Sequence, residues 1–151
     1  MSGTLAIPLS AHELRDAVRT ARRFDPVRLD RVLRLDEERG LLEVQASIPW
    51  TALAEHLGAD LSGLIWDTDR LAQAVEANAP APDGSPMVAH IEALALVTPD
   101  GELRRASRNA NGELFALAVG GRGLFGALYS VTLRLPGLRR AAMQPATSEV
   151  L

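Results

Sequence analysis

The chain has 151 residues, 47% hydrophobic and 23% charged, with a formal charge of −3, a balance that excludes disorder and fits one domain burying about 68–70% of its unfolded surface. A weak negative charge gives no electrostatic reason to expect a nucleic-acid or anionic-membrane partner. There is no cysteine, and all sixteen basic residues are arginine, which excludes disulfides, thiolate nucleophiles, zinc–thiolate sites, cysteinyl-flavin links and lysine chemistry.

The first ten residues carry no basic region and Pro8 breaks their apolar stretch, so no secretory signal is expected and the cytoplasm is the expected compartment. Ser10 and Glu13 have capping-box spacing ahead of Leu14, Val18 and Ala21, which predicts a helix from Ala11 to Arg23. Its arginines, Arg15, Arg19, Arg22 and Arg23, read either as a solvated face or as an anion-binding surface. Val32 to Leu35 and Leu42 to Ala46 flank a polar turn ending in Gly40 and predict a hairpin. Pro49 opens a second helix through Trp50, Leu53, Ala54 and Leu57, closed by Gly58. Trp50 has apolar neighbours at helical spacing, which fits a core anchor better than a ligand stacker.

Between Asp60 and Asn78 the pattern weakens. Leu61, Leu64, Ile65 and Trp66 are apolar, and a short helix after Asp67 or Thr68 would use Leu71, Ala74 and Val75. Residues 79–86 hold three prolines and a glycine and form the clearest loop. A second hairpin follows, Val88 to Thr98 and Glu102 to Ser107 around Pro99-Asp100-Gly101. Asn111 can cap a helix over Gly112 to Ala118, and the glycines from Gly120 to Gly123 break it. Leu128 to Leu135 alternates with period two and predicts a strand stopped by Pro136-Gly137. Residues 138–151 show no periodicity and are expected to be a mobile tail, leaving residues 1–137 as one domain. The apolar run Leu114 to Val131 is not a membrane span, because Arg122 at its centre would cost about 2.5–3.5 kcal/mol there.

Literal motifs are sparse. Gly121 to Gly126 matches G-x-G-x-x-G, but a dinucleotide-binding crossover needs a helix next and an acidic residue about 20 positions on, whereas a strand follows here. His12, His56 and His90 lack metal-ligand spacing, so no metal site is expected. His90 reads as a hydrogen-bonded structural histidine or as a pocket residue. Asp67 and Asp69 more naturally cap a helix than bind a cation. No serine sits in a nucleophile elbow.

Two stretches carry a family resemblance. Phe24 to Leu33 with Val44 to Leu53 is similar to one segment of the FAD-binding oxidoreductases of the vanillyl-alcohol oxidase type, the PCMH fold. The succession Val97-Thr98-Pro99-Asp100-Gly101-Glu102, Asn111-Gly112-Glu113-Leu114-Phe115, Gly120-Gly121-Arg122-Gly123-Leu124-Phe125-Gly126 and Val131-Thr132-Leu133-Arg134-Leu135 resembles another in order and spacing. The resemblance implies a shortened α+β domain with two small sheets and flanking helices. It implies FAD as cofactor, and flavin redox chemistry on a small organic substrate. It assigns cofactor contact to Gly120, Gly121, Gly123 and Gly126, with Ala127 and Leu128 beside the adenine end; the alternative is that these glycines only pack a helix against a strand. Both phosphate-binding loops of the family are missing: Arg22 to Pro26 runs straight into the hairpin, and residues 60–86 hold only Gly63 and Gly84. A pyrophosphate needs several converging donors, so their loss counts against FAD binding by this chain alone. The other implied role is a cofactor-free member of the fold acting as a scaffold, with a partner subunit or as a homo-oligomer. Tyr129 and His90 are the only candidates for catalysis.

Overall fold

The computed structural model describes residues 5–57 and 68–143. Helix α1 spans Ala11–Arg19. Ser10 Oγ accepts from the Glu13 N–H at 3.1 Å and Glu13 Oε1 accepts from the Leu9 N–H at 2.9 Å, which satisfies two donors at the helix start. The helix stops short of the expected Arg23 because Thr20 turns its hydroxyl back onto the Asp16 carbonyl and Ala21 takes a φ of 54°. Asp25 then caps a 3-10 turn over Pro26–Arg28.

The first hairpin is β1, Val32–Asp36, with β2, Leu41–Gln45. Helix α2, Trp50–Leu57, buries Trp50, Leu53, Ala54 and Leu57. The Trp50 indole donates to Thr68 Oγ1 at 3.0 Å, so the ring is a core anchor with its polar edge satisfied. Helix α3, Leu71–Ala77, buries Leu71, Ala74 and Val75 as the spacing required. Leu61, Leu64, Ile65, Trp66 and Asp67 lie outside the described residues. A 3-10 turn over Met87–His90 leads into β3, Ile91–Val97, which pairs with β4, Leu103–Ser107. Helix α4 spans Gly112–Ala118. Asn111 precedes it in the left-handed region without capping it; its side-chain amide donates instead to the Arg105 carbonyl at 2.8 Å.

The α+β class holds, but the two hairpins do not make two sheets. Strand β5, Ala127–Arg134, inserts between them and joins all strands into one antiparallel sheet of order β1-β2-β5-β3-β4. One edge pairs with β2, from Leu41 against Arg134 to Gln45 against Ser130, and the other with β3, from Ile91 against Leu133 to Val97 against Ala127. An alternating strand with two polar backbone edges is satisfied only when both are paired.

Alternation on β3 and β5 feeds two cores. Leu96 and Leu128 join the large cluster with α2, α3, α4 and Leu138, while Val97 joins Leu14 and Leu29, packed by Val18, Phe24, Ala127 and Tyr129. The chain after Leu135 is also a correction. Leu135–Met143 forms α5, with Pro136 in its first turn and Leu138 and Ala141 buried. Residues 138–143 therefore belong to the fold, and residues 144–151 lie outside the described ones. Among the described residues no helix is long and apolar enough to cross a membrane.

Candidate functional site

Where β3 leaves the sheet and β5 enters it, a cleft of about 360 Å³ opens beside the glycine loop. Its walls are Val18 of α1, Phe24 and Pro26, Ser47 after β2, Ala72 and Glu76 of α3, Val97 and Pro99, and the segment Gly123, Leu124, Gly126, Ala127 and Leu128. Four of the six residues assigned by resemblance, Gly123, Gly126, Ala127 and Leu128, thus line one cavity. Gly120 and Gly121 do not line it. They hold the loop in place: the Gly120 N–H donates to the Val75 carbonyl at 2.9 Å and the Gly121 N–H to Ala118 at 3.1 Å.

The glycines divide by role. A Cβ at Gly121 would collide with the Leu117 carbonyl oxygen, and one at Gly126 would stand 2.8 Å from both Leu96 Cδ1 and the Val97 carbonyl oxygen. Close packing of helix and strand explains those two. Gly123 is different: φ is +79° and a Cβ would meet nothing nearer than Glu76 Oε2 at 3.6 Å, across the cleft.

Glu76 is the only charged side chain among the described lining residues. Burial pushes its carboxyl above the usual glutamate range, because a desolvated carboxylate loses hydration. Sequence reasoning missed it, since α3 lay in the weakly patterned region; its one signal is that Ala72 and Glu76, four apart, share a helix face.

The two catalytic candidates are not brought to the cleft. Tyr129 packs half-buried against the smaller core. His90 is buried elsewhere, its Nε2 2.7 Å from Ser85 Oγ, which also lies 2.5 Å from Asp83 Oδ1. The Ser85 hydrogen bonds hold Asp83 below the usual carboxylate range, so the Ser85 hydroxyl donates to Asp83 and accepts from His90 Nε2–H. That proton assignment makes Ser85 a bridge, not an activated nucleophile. The α1 arginines are neither purely solvated nor an anion site: Arg15 Nε donates to the Gly101 carbonyl at 3.1 Å, and Arg15 and Arg19 both pair with Glu102. Among the described residues no cluster of His, Asp or Glu could hold a metal.

The cleft fits one part of FAD. Apolar walls, a backbone strand edge and an unpaired carboxylate suit a flat amino-substituted ring and its sugar. The described lining offers no cation to a pyrophosphate; the nearest in sequence, Arg122, is exposed beside Gly123.

Solved structures of similar fold include two oxidases. A chitooligosaccharide oxidase superposes with a TM-score of 0.73 at 14% identity, over 86% of this chain and 35% of that one. A carbohydrate oxidase from Microdochium nivale, solved with a substrate analogue, gives 0.76 at 15% identity, over 88% of this chain and 35% of its own. The chain therefore spans about a third of either, and it shares the fold of that part of both oxidases. No protein-family model matches the sequence, and no curated protein matches it.

Proposed function

We propose that this chain is a FAD-binding module of the oxidoreductase type, which seats the adenine end of the cofactor in the cleft while a second copy or a partner subunit supplies the donors for the pyrophosphate. The flavin would supply the redox chemistry, on a small organic substrate, and the protein would position it. The reading keeps the cytoplasm as the compartment, with which a cysteine-free chain is compatible.

The observation that carries it is the convergence of Gly123, Gly126, Ala127 and Leu128 on one cavity, since the resemblance selected those residues without reference to any pocket. Main-chain groups come close to a ring where no Cβ intervenes. Thermal unfolding in the presence of FAD, ADP and FMN tests it. A ligand of the folded state at 100 times its Kd stabilises by about 2.7 kcal/mol, so FAD and ADP raise Tm and FMN, which lacks adenine, does not. A Tm indifferent to both FAD and ADP would overturn the proposal.

A second reading, a cofactor-free scaffold or interaction subunit, is favoured by Gly121 and Gly126, whose tight packing requires glycine with no ligand present. A colourless chain that ignores FAD and runs as an oligomer would support it.

A further inference from the structure

We propose that Glu76 and Gly123 together read the base edge of the ligand in the cleft and select an aminopurine over an oxopurine. This rests on the cleft being a nucleotide seat and names the residues that set its specificity.

The two residues face each other, since a Cβ at Gly123 would lie 3.6 Å from Glu76 Oε2 and 3.9 Å from its Cδ. Their relative position is fixed by main-chain bonds. The Arg122 N–H donates to the Glu76 carbonyl at 2.9 Å, and two residues earlier in the loop Gly120 donates to the Val75 carbonyl at 2.9 Å. The loop is thus pinned to the last turn of α3. Within that pinned segment, the Glu76 carboxylate makes no hydrogen bond or ion pair with a described residue. The Gly123 N–H likewise donates to no described residue, while Gly120, Gly121, Arg122 and Leu124 all do.

A half-buried carboxylate with no described partner therefore lines the cleft, facing an exposed Gly123 whose N–H is not engaged by the main chain. A partly desolvated carboxylate without a partner is costly, and a ligand that donates to it, while accepting from the Gly123 N–H, gains accordingly. Adenine presents the complement: its exocyclic N6–H₂ donates to a carboxylate, and an adjacent ring nitrogen, N1 or N7, accepts from an N–H. An oxopurine places O6 where the N6 donor stood, setting one acceptor against another, and a site built to hydrogen-bond a group rejects the analogue lacking it. The same carboxylate repels phosphates, which keeps them at the mouth of the cleft.

The test is calorimetric titration of the purified chain with adenosine and with inosine, for the natural sequence and for Glu76→Gln, with circular dichroism showing that the variant folds. Adenosine is expected to bind about tenfold or more tighter than inosine. Glu76→Gln, whose amide both donates and accepts, brings the two within about threefold. Equal affinities in the natural chain, discrimination that survives Glu76→Gln, or no binding of either nucleoside up to about 10 mM would each overturn the inference. Discrimination without FAD binding would leave it standing while removing the flavin reading. FAD binding without discrimination would do the reverse.

Discussion

Gly123 and His90 illustrate two ways in which a residue that stands out in the sequence finds its place. Gly123 is one of four glycines in a short run, and only the coordinates separate it from Gly121 and Gly126, whose missing side chains make room for Leu117, Leu96 and Val97. His90 proves to be a structural residue, tied through Ser85 to Asp83. Burial is the main force holding its pKa below the ordinary histidine range; Arg140 lowers it further and Asp83 acts against both. The unfolded chain therefore takes up the His90 proton first, at about pH 6.5, and the fold only at lower pH. Stability contributed by neutral His90 is present above about pH 6.5 and is lost as pH falls through the lowered value. Imidazole proton resonances followed by NMR should show His90 titrating below 6.5; a midpoint at or above that value would contradict the burial argument.

Elements were legible wherever their pattern is local. The periodicity of Leu14 and Val18, of Trp50 to Leu57 and of Leu71 to Val75 placed three helices, and Gly40 and Gly101 placed both turns, because side-chain spacing and positive φ are written in neighbouring residues. The insertion of β5 between β2 and β3 is written nowhere locally: Leu42 meets Leu133 across most of the chain, and such pairing follows from the whole set of strand edges. Helix α5 was hidden for a different reason. Pro136 and Gly137 read as a stop, yet proline is compatible with a first helical turn, and a nine-residue helix with Leu138 and Ala141 facing in offers too few repeats to register. Leu138 is fully buried in the large core, so Leu138→Ala should destabilise the protein by about 2–4 kcal/mol, measured by chemical denaturation. A loss below about 0.5 kcal/mol would mean that α5 is the detachable tail first expected.

At the scale of the molecule, one antiparallel sheet carries a core on each face, and the cleft opens where both cores reach the same end of it. The order of motifs made the fold readable at a sequence identity of only 14–15% to its structural counterparts. One wall of the cleft, Gly123, Gly126, Ala127 and Leu128, falls within the run that the resemblance picked out. The facing wall was not readable: Val18 of α1, Ser47 in the turn after β2 and Glu76 of α3 are far apart in the chain and meet only after the sheet forms. That arrangement also gives the cleft its polarity, apolar with one carboxylate among the described lining residues, and the proposed nucleotide seat rests on it. The most direct measurement is a backbone amide NMR titration of the isotope-labelled chain with FAD. The account predicts saturable shifts concentrated at Glu76, Gly123, Gly126, Ala127 and Leu128, reproduced by ADP; shifts confined to other surfaces, or none at all, would contradict it.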